Sequence, residues 1–171
     1  MKSILRISLV LLFAIMFFNS AFAQDKSKRA SPAMTSEAAI GEASVAVTYS
    51  SPAVKGRTIW GELVPYDKIW RAGANEATTF ETDKAIKVQG QVLAAGKYSL
   101  FVVPTASEWT IVFNSVAAQW GAYEYNSEKD VLRVTTTPVR TAASAERLTI
   151  NVDDSGLSIA WDNMSGTVTI E

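Results

Sequence analysis

The chain has 171 residues and contains neither histidine nor cysteine. Without imidazole a Ser-His-Asp triad or a Cys-His pair is impossible, and so is a histidine-ligated metal site. Without thiol there is no disulfide frame and no lipid-modified cysteine, so the core alone must hold the fold together. A phosphate-cradling glycine loop is missing, as is a dinucleotide fingerprint. Chemistry is left to carboxylates, Lys, Tyr and Arg. Long apolar runs are scarce too. The one at 7–18, broken only by Ser8, falls short of the roughly 20 residues a comfortable membrane span needs.

Lys2 and Arg6 precede that run and Ala21-Phe22-Ala23 follows it, the pattern of a secretory signal peptide over 1–23. The expectation is an exported protein, periplasmic or extracellular, with no stable membrane insertion after cleavage. The remaining 24–171 is long enough for one independent core, since a domain of that size buries roughly 70% of the surface its unfolded chain exposes. Loss of Lys2 and Arg6 leaves the 17 acidic residues in excess over the basic ones. A mildly acidic exported domain has no electrostatic reason to hold nucleic acid or an anionic membrane surface.

Residues 24–42 are rich in Ser, Ala and charge without apolar periodicity, and are expected to form a flexible N-terminal tether. From residue 43 the period becomes two: Val45, Val47 and Tyr49 alternate with Ser44, Ala46 and Thr48. Gln89-Gly90 separates short apolar runs at 86–88 and 91–93 as a hairpin would. Tyr98, Leu100 and Val102 share one face of the next strand, which Pro104 stops, and Trp109, Ile111 and Phe113 share one face of the one after. Further strands are expected at 131–137, 147–152, 157–161 and 167–170. Turns would fall at Asp153-Asp154-Ser155-Gly156 and Asn163-Met164-Ser165-Gly166. The fold class expected is all-β: a single antiparallel β-sandwich over 43–171, with jelly-roll-like or barrel-like variants as alternatives.

The stretch "IWRAGANEATTFET", 69–82, crowds Arg71, Asn75 and Glu76 between Trp70 and Phe80. Gly73 and Asn75 tolerate left-handed backbone, so a tight turn closed by an Arg71–Glu76 ion pair explains these residues structurally. If alternation resumes at Ala74, Glu76 shares the face of Phe80 and needs a cation: Arg71, or else Lys55, Arg57 or Lys97. Irregular segments also hold Trp60, Tyr66, Trp70, Trp120, Tyr123 and Tyr125. Such rings either plug the ends of a sandwich or form the platform of a sugar or small-ligand pocket. Glu76 with Glu124 or Asp130 is the carboxylate pair that glycoside hydrolysis would require. Asp153-Asp154 reads as a hairpin turn more readily than as a calcium site.

Together "KGRTIWGELVPYDKIWRAGANEATTFE", "AAGKYSLFVVP", "EWTIVFN" and "QWGAYEY" resemble, in that order, the exported bacterial proteins grouped as domain of unknown function 2911. Ser51 departs from that pattern, standing where the family often carries Arg before Pro, so no role for that Arg carries over. The resemblance implies an exported β-rich domain and supplies no activity, cofactor or catalytic residue.

Three functional readings follow. The preferred one is a non-catalytic module that uses no cofactor and binds a small polar ligand, a glycan or an envelope partner through Trp70, Arg71, Asn75, Glu76, Trp120 and Tyr123. The second is a carboxylate-dependent hydrolase, and the third a structural envelope protein whose polar cluster braces the sandwich. If the terminus is read correctly, mass spectrometry of exported material will place its first residue at Gln24. Material beginning at Met1 or Lys2 would show an uncleaved leader instead.

Overall fold

Period-two alternation becomes strand because each strand can bury one face and solvate the other. Along β2 (Ala43–Ser50), Val45, Val47 and Tyr49 are buried while Ser44 and Thr48 are exposed. The computed structural model describes residues 29–171; the signal expected at 1–23 and the first part of the expected tether lie outside the described residues. After β1 (Ala33–Ile40) and β2 come β3 (Thr78–Thr82), β4 (Ile86–Val88), β5 (Gln91–Leu93), β6 (Gly96–Pro104) and β7 (Trp109–Asn114). A 3-10 turn (Ser127–Lys129) then leads into β8 (Asp130–Thr136), β9 (Val139–Asp153) and β10 (Gly156–Val168). The fold is an all-β sandwich with no closed barrel. No helix among the described residues is long and apolar enough to cross a membrane.

One layer is a six-stranded antiparallel sheet in the order β1-β2-β3-β6-β7-β8. The second is built from the long β9–β10 hairpin and the short β4–β5 hairpin. Backbone bonds from Lys87 to Glu171 and from Gln89 to Thr169 zip β4 to the C-terminal residues. Between the layers lies one continuous core that includes Tyr98, Leu100, Phe113, Leu132, Ile150 and Ile159, all expected there from the alternation. A smaller cluster of Ala77, Phe101 and Val112 lies on the opposite face of the large sheet.

Two sequence expectations are corrected. β1 takes up eight residues of the segment expected to be tether, pairing with β2 from Ala33↔Ser50 to Ile40↔Ala43. It escapes a periodicity reading because it is an edge strand with mostly exposed side chains, held by its backbone ladder rather than by buried apolar groups. Asn163 to Gly166 do not form a turn either. β10 runs straight through them, absorbing register shifts at Ala160/Asp162 and Asp162/Met164, with Asp162 at φ 51°. Gly166 serves close packing instead: a Cβ there would stand 2.6 Å from the Trp109 ring. The other two expected turns form as hairpins. Gln89 and Gly90 both take positive φ, and the Asp153 carboxylate accepts from the Ser155 backbone N–H.

Leu100 is fully buried and Ile159 nearly so. Truncating either to Ala should cost about 2–5 kcal/mol through lost contacts and a residual cavity. Urea or guanidinium melts check this; curves overlaying wild type would place these side chains outside the core.

Candidate functional site

The 51–77 connection between β2 and β3 has no regular strand, yet it is anchored at several points. Trp70 pairs with Val102 of β6 through two backbone hydrogen bonds of 2.8 Å. Thr78 Oγ1 donates to the Ala72 carbonyl at 2.8 Å, and the Ala74 N–H donates to the Ser50 carbonyl at 3.2 Å. Ala72 and Asn75 carry the left-handed backbone, at φ 50° and 59°. Gly73 does not; it is glycine for space, because a Cβ would sit 3.0 Å from both Ser50 O and Thr78 Oγ1. Asn75 Nδ2 donates to Ser50 Oγ and the Ser31 carbonyl, so its amide braces the corner. Ser51 is buried and donates to the Leu148 carbonyl at 2.7 Å, tying the start of the connection to β9.

The left-handed residue at Asn75 breaks the alternation expected from Ala74. Strand β3 begins only at Thr78, and Glu76 is turned away from the face of Phe80, onto the outer side of the sheet beside Ala77 and Thr79. Its ion pair is with Arg29 at 2.7 Å rather than with Arg71. Two of the other expected cations are used elsewhere: the Arg57 guanidinium donates to the carbonyls of Ala53 and Val54, and Lys97 pairs with Glu81 at 2.8 Å.

Opposite Glu76 stands the 115–126 loop. Two buried polar residues pin it to the sheet. Ser99 Oγ donates to Val116 O at 2.7 Å and accepts from Gln119 Nε2 at 3.3 Å. Asn114 donates to Asn126 O and Asp130 Oδ1 and accepts from the Val116 N–H. Ala77 N–H donates to Gln119 O, and Glu76 forms a bridge with Trp120. The loop covers the β6–β7 end of the outer face, where Phe101 and Tyr125 meet edge to face at 5.1 Å. It stops short of β1, β2 and β3.

What remains between them is a cleft of about 510 Å³. Thr48, Thr79 and Lys97 line it from β2, β3 and β6, Ala33 contributes from β1, and Glu76, Gln119 and Trp120 stand around it. Trp120 is 56% exposed, an unusual state for a side chain of its apolar area. Gln119 Oε1 is buried without a partner among the described residues, because its Nε2 is committed to Val116 O and Ser99 Oγ. Among the described residues the cleft therefore offers an aromatic face, two hydroxyls, a cation and a single carboxylate, with an unfilled acceptor buried in its wall.

The six residues singled out in the sequence do not form one surface. Glu76 and Trp120 share the cleft. Trp70 is buried in the inter-layer core, stacked on Trp161 at 5.8 Å and edge-on to Trp60 at 5.7 Å. Arg71 lines a separate, smaller pocket with Trp70 and Trp161, Asn75 is a brace, and Tyr123 lies 83% exposed outside the cleft. Gln119, Thr48 and Thr79 were missed. Gln119 adjoins Trp120 in the "QWGAYEY" stretch and was within reach of the sequence, whereas the two threonines read as ordinary outward strand positions.

No second carboxylate among the described residues lines the cleft. Glu124 is exposed, and Asp130 is engaged by Asn114, Tyr125 and Arg133. Nor, among the described residues, does any group of three Asp or Glu side chains gather to hold a metal ion.

Sandwich and cleft together define the class: a β-sandwich with an open, aromatic-walled concavity on the outer face of its larger sheet. The chain belongs to the family described as protein of unknown function (DUF2911), whose model matches residues 31–170. No curated protein and no solved structure matches.

Beside the cleft loop, burial and the hydrogen bond to Asp130 push the Tyr125 phenol up to about 12, with the Asp130 charge adding and Arg133 partly opposing. A phenol that ionises later in the folded state contributes stability that is fully present below pH ~10 and is lost as pH rises towards ~12. Tyrosinate absorbance of the native protein should therefore show a late-titrating component that Tyr125→Phe removes. Its persistence in the variant would assign the shift to another tyrosine.

Proposed function

We propose that the protein is an exported, non-catalytic binding module whose outer cleft takes a glycan or similarly polar small ligand. The observation that carries this reading is Trp120, a half-exposed indole on the wall of a cleft that also presents an unfilled acceptor and hydroxyl groups. A sugar has an apolar ring face that stacks on an aromatic side chain, and an equatorial rim of hydroxyls that need both donors and acceptors. Gln119 Oε1 supplies an acceptor, Lys97 a donor, and Thr48 and Thr79 can act as either. Glu76, held by Arg29, gives the cleft one oriented carboxylate. Export rests on the leader pattern at 1–23, and the absence of a basic surplus leaves nucleic acid without support.

A single carboxylate at the cleft among the described residues argues against the hydrolase reading, since acid and base or nucleophile must stand on opposite sides of the scissile bond. A purely bracing role accounts for Asn75 and the Glu76–Arg29 pair, but it has no use for an exposed tryptophan beside an unsatisfied amide.

A thermal-shift screen of the protein against mono- and oligosaccharides and peptidoglycan fragments tests the reading. A ligand that binds only the native state raises Tm in proportion to the logarithm of its concentration above Kd. Trp120→Ala should leave stability within about 0.5 kcal/mol of wild type, being a surface change. It should weaken ligand binding by about 1–3 kcal/mol, read by calorimetric titration. If no saccharide shifts Tm, or if Trp120→Ala binds as wild type does, the cleft is not a glycan site. Turnover of a glycoside that Glu76→Gln abolishes would favour the hydrolase.

A further inference from the structure

The second pocket has a different chemistry. It lies at one end of the sandwich, between the start of the 51–77 connection and its Arg71–Ala74 corner, and has a volume of about 200 Å³. Two of its walls carry buried hydrogen-bond donors with nothing to donate to. Arg71 Nε and Trp161 Nε1 both lack an acceptor among the described residues, and Trp161 is only 1% exposed. Buried polar atoms in folded proteins nearly always find a partner, so two orphan donors around one pocket are an unusual coincidence. Arg57 is a second cationic wall, and its guanidinium is held in place by the Ala53 and Val54 carbonyls. Among the described residues, no acidic side chain lines the pocket.

We propose that this pocket is a site for the carboxylate of a small organic acid. The guest has to supply acceptors and negative charge, because the unmet groups are donors and two walls are guanidinium groups that never lose their protons. A carboxylate does both with two coplanar oxygens, one for the Arg71 fork and one for the indole N–H. The other walls favour an organic acid over inorganic phosphate: Pro52, Leu63, Val64 and Trp70 are apolar and would cover a short hydrocarbon body. Leu63 is 44% exposed, a wet apolar side chain that such a body would shield. The size sets a limit, since about 200 Å³ holds only about six waters at ~30 Å³ each, which confines the guest to an acid of a few carbons. Local backbone strain points the same way. Ala72, next to Arg71, is held at φ 50°, a conformation that a non-glycine residue adopts at a cost and that is concentrated at ligand sites. This pocket shares no lining residue with the Trp120 cleft, so the two sites stand or fall separately.

The test is a titration of the full chain with acetate, propionate, isobutyrate and benzoate, with chloride and inorganic phosphate at matched ionic strength as controls. The readouts are Tm and intrinsic tryptophan emission, which is local because Trp70 and Trp161 are themselves walls. The expected result is a saturable emission change and a Tm rise on the order of 5 °C near saturation for at least one acid. Arg71→Met and Trp161→Phe should each weaken that response about tenfold or more, with Arg71→Lys intermediate. Trp120→Ala should keep it whole. Arg71→Lys retains the charge and serves as the decisive variant should Arg71→Met fold poorly. Three results would overturn the proposal: acids that do no more than chloride, a response to phosphate alone, or a response undiminished in both the Arg71 and Trp161 variants.

Discussion

Four tryptophans hold the molecule's irregular parts to its regular ones. Trp60 and Trp70 come from the long connection, Trp109 from β7 in the large sheet and Trp161 from β10 in the opposing hairpin. Their rings meet at centroid distances between 4.5 and 6.4 Å. The Trp60 indole N–H also donates to the Trp161 carbonyl at 3.1 Å. A loop as long as 51–77 would ordinarily be mobile, because few buried contacts reward its ordering. Here each tryptophan it contributes buries a large apolar area against both layers. In a chain without disulfides this packing takes over the role of a covalent staple, and the placement of Arg71, Asn75 and Glu76 depends on it. Gly166 shows how little slack remains, since the backbone of β10 passes directly over the Trp109 ring.

The outer face of the large sheet follows a different logic. Both its covering and its opening come from the 115–126 loop, which two fully buried polar side chains, Ser99 and Asn114, fasten at its ends. Buried polar groups of this kind are worth keeping only when every bond is made, and nearly every one is. The exceptions are informative. Gln119 Oε1, Arg71 Nε and Trp161 Nε1 lack partners among the described residues, and each belongs to a residue that lines a pocket. An acceptor is left over in the outer cleft and donors are left over at the sandwich end, so the two concavities differ in the sign of what they ask for.

The 69–77 segment serves both places at once. Arg71 lines the sandwich-end pocket while its Nη1 reaches to 3.7 Å from where a Cβ on Gly121 would stand, and Glu76 lines the outer cleft, with left-handed Ala72 and Asn75 and the close-packed Gly73 between them. An Arg and a Glu flanking a tight corner would ordinarily be read as its own ion pair. Instead the two residues line different pockets. Glu76 finds Arg29, a residue far away in sequence that β1 brings alongside β2.

Read alone, the sequence was enough for the β class, most strand positions, the buried face of each core strand and the exclusion of histidine- and cysteine-based chemistry. Those properties are local: a period of two decides which side chains are buried, whichever strands become neighbours. It also marked out Glu76 and Trp120, because charged and aromatic residues in irregular segments stand out against alternation. Tertiary structure alone decided that β1 is an edge strand, since a backbone ladder leaves no trace in side-chain pattern. It alone decided that Asn163 to Gly166 continue β10, because the need for glycine there is set by Trp109 from another strand. The division of the six candidate residues between a core, a brace, two pockets and open surface was likewise beyond the sequence. It depends on which way each side chain leaves a left-handed corner, and long-range packing of the tryptophans fixes that direction.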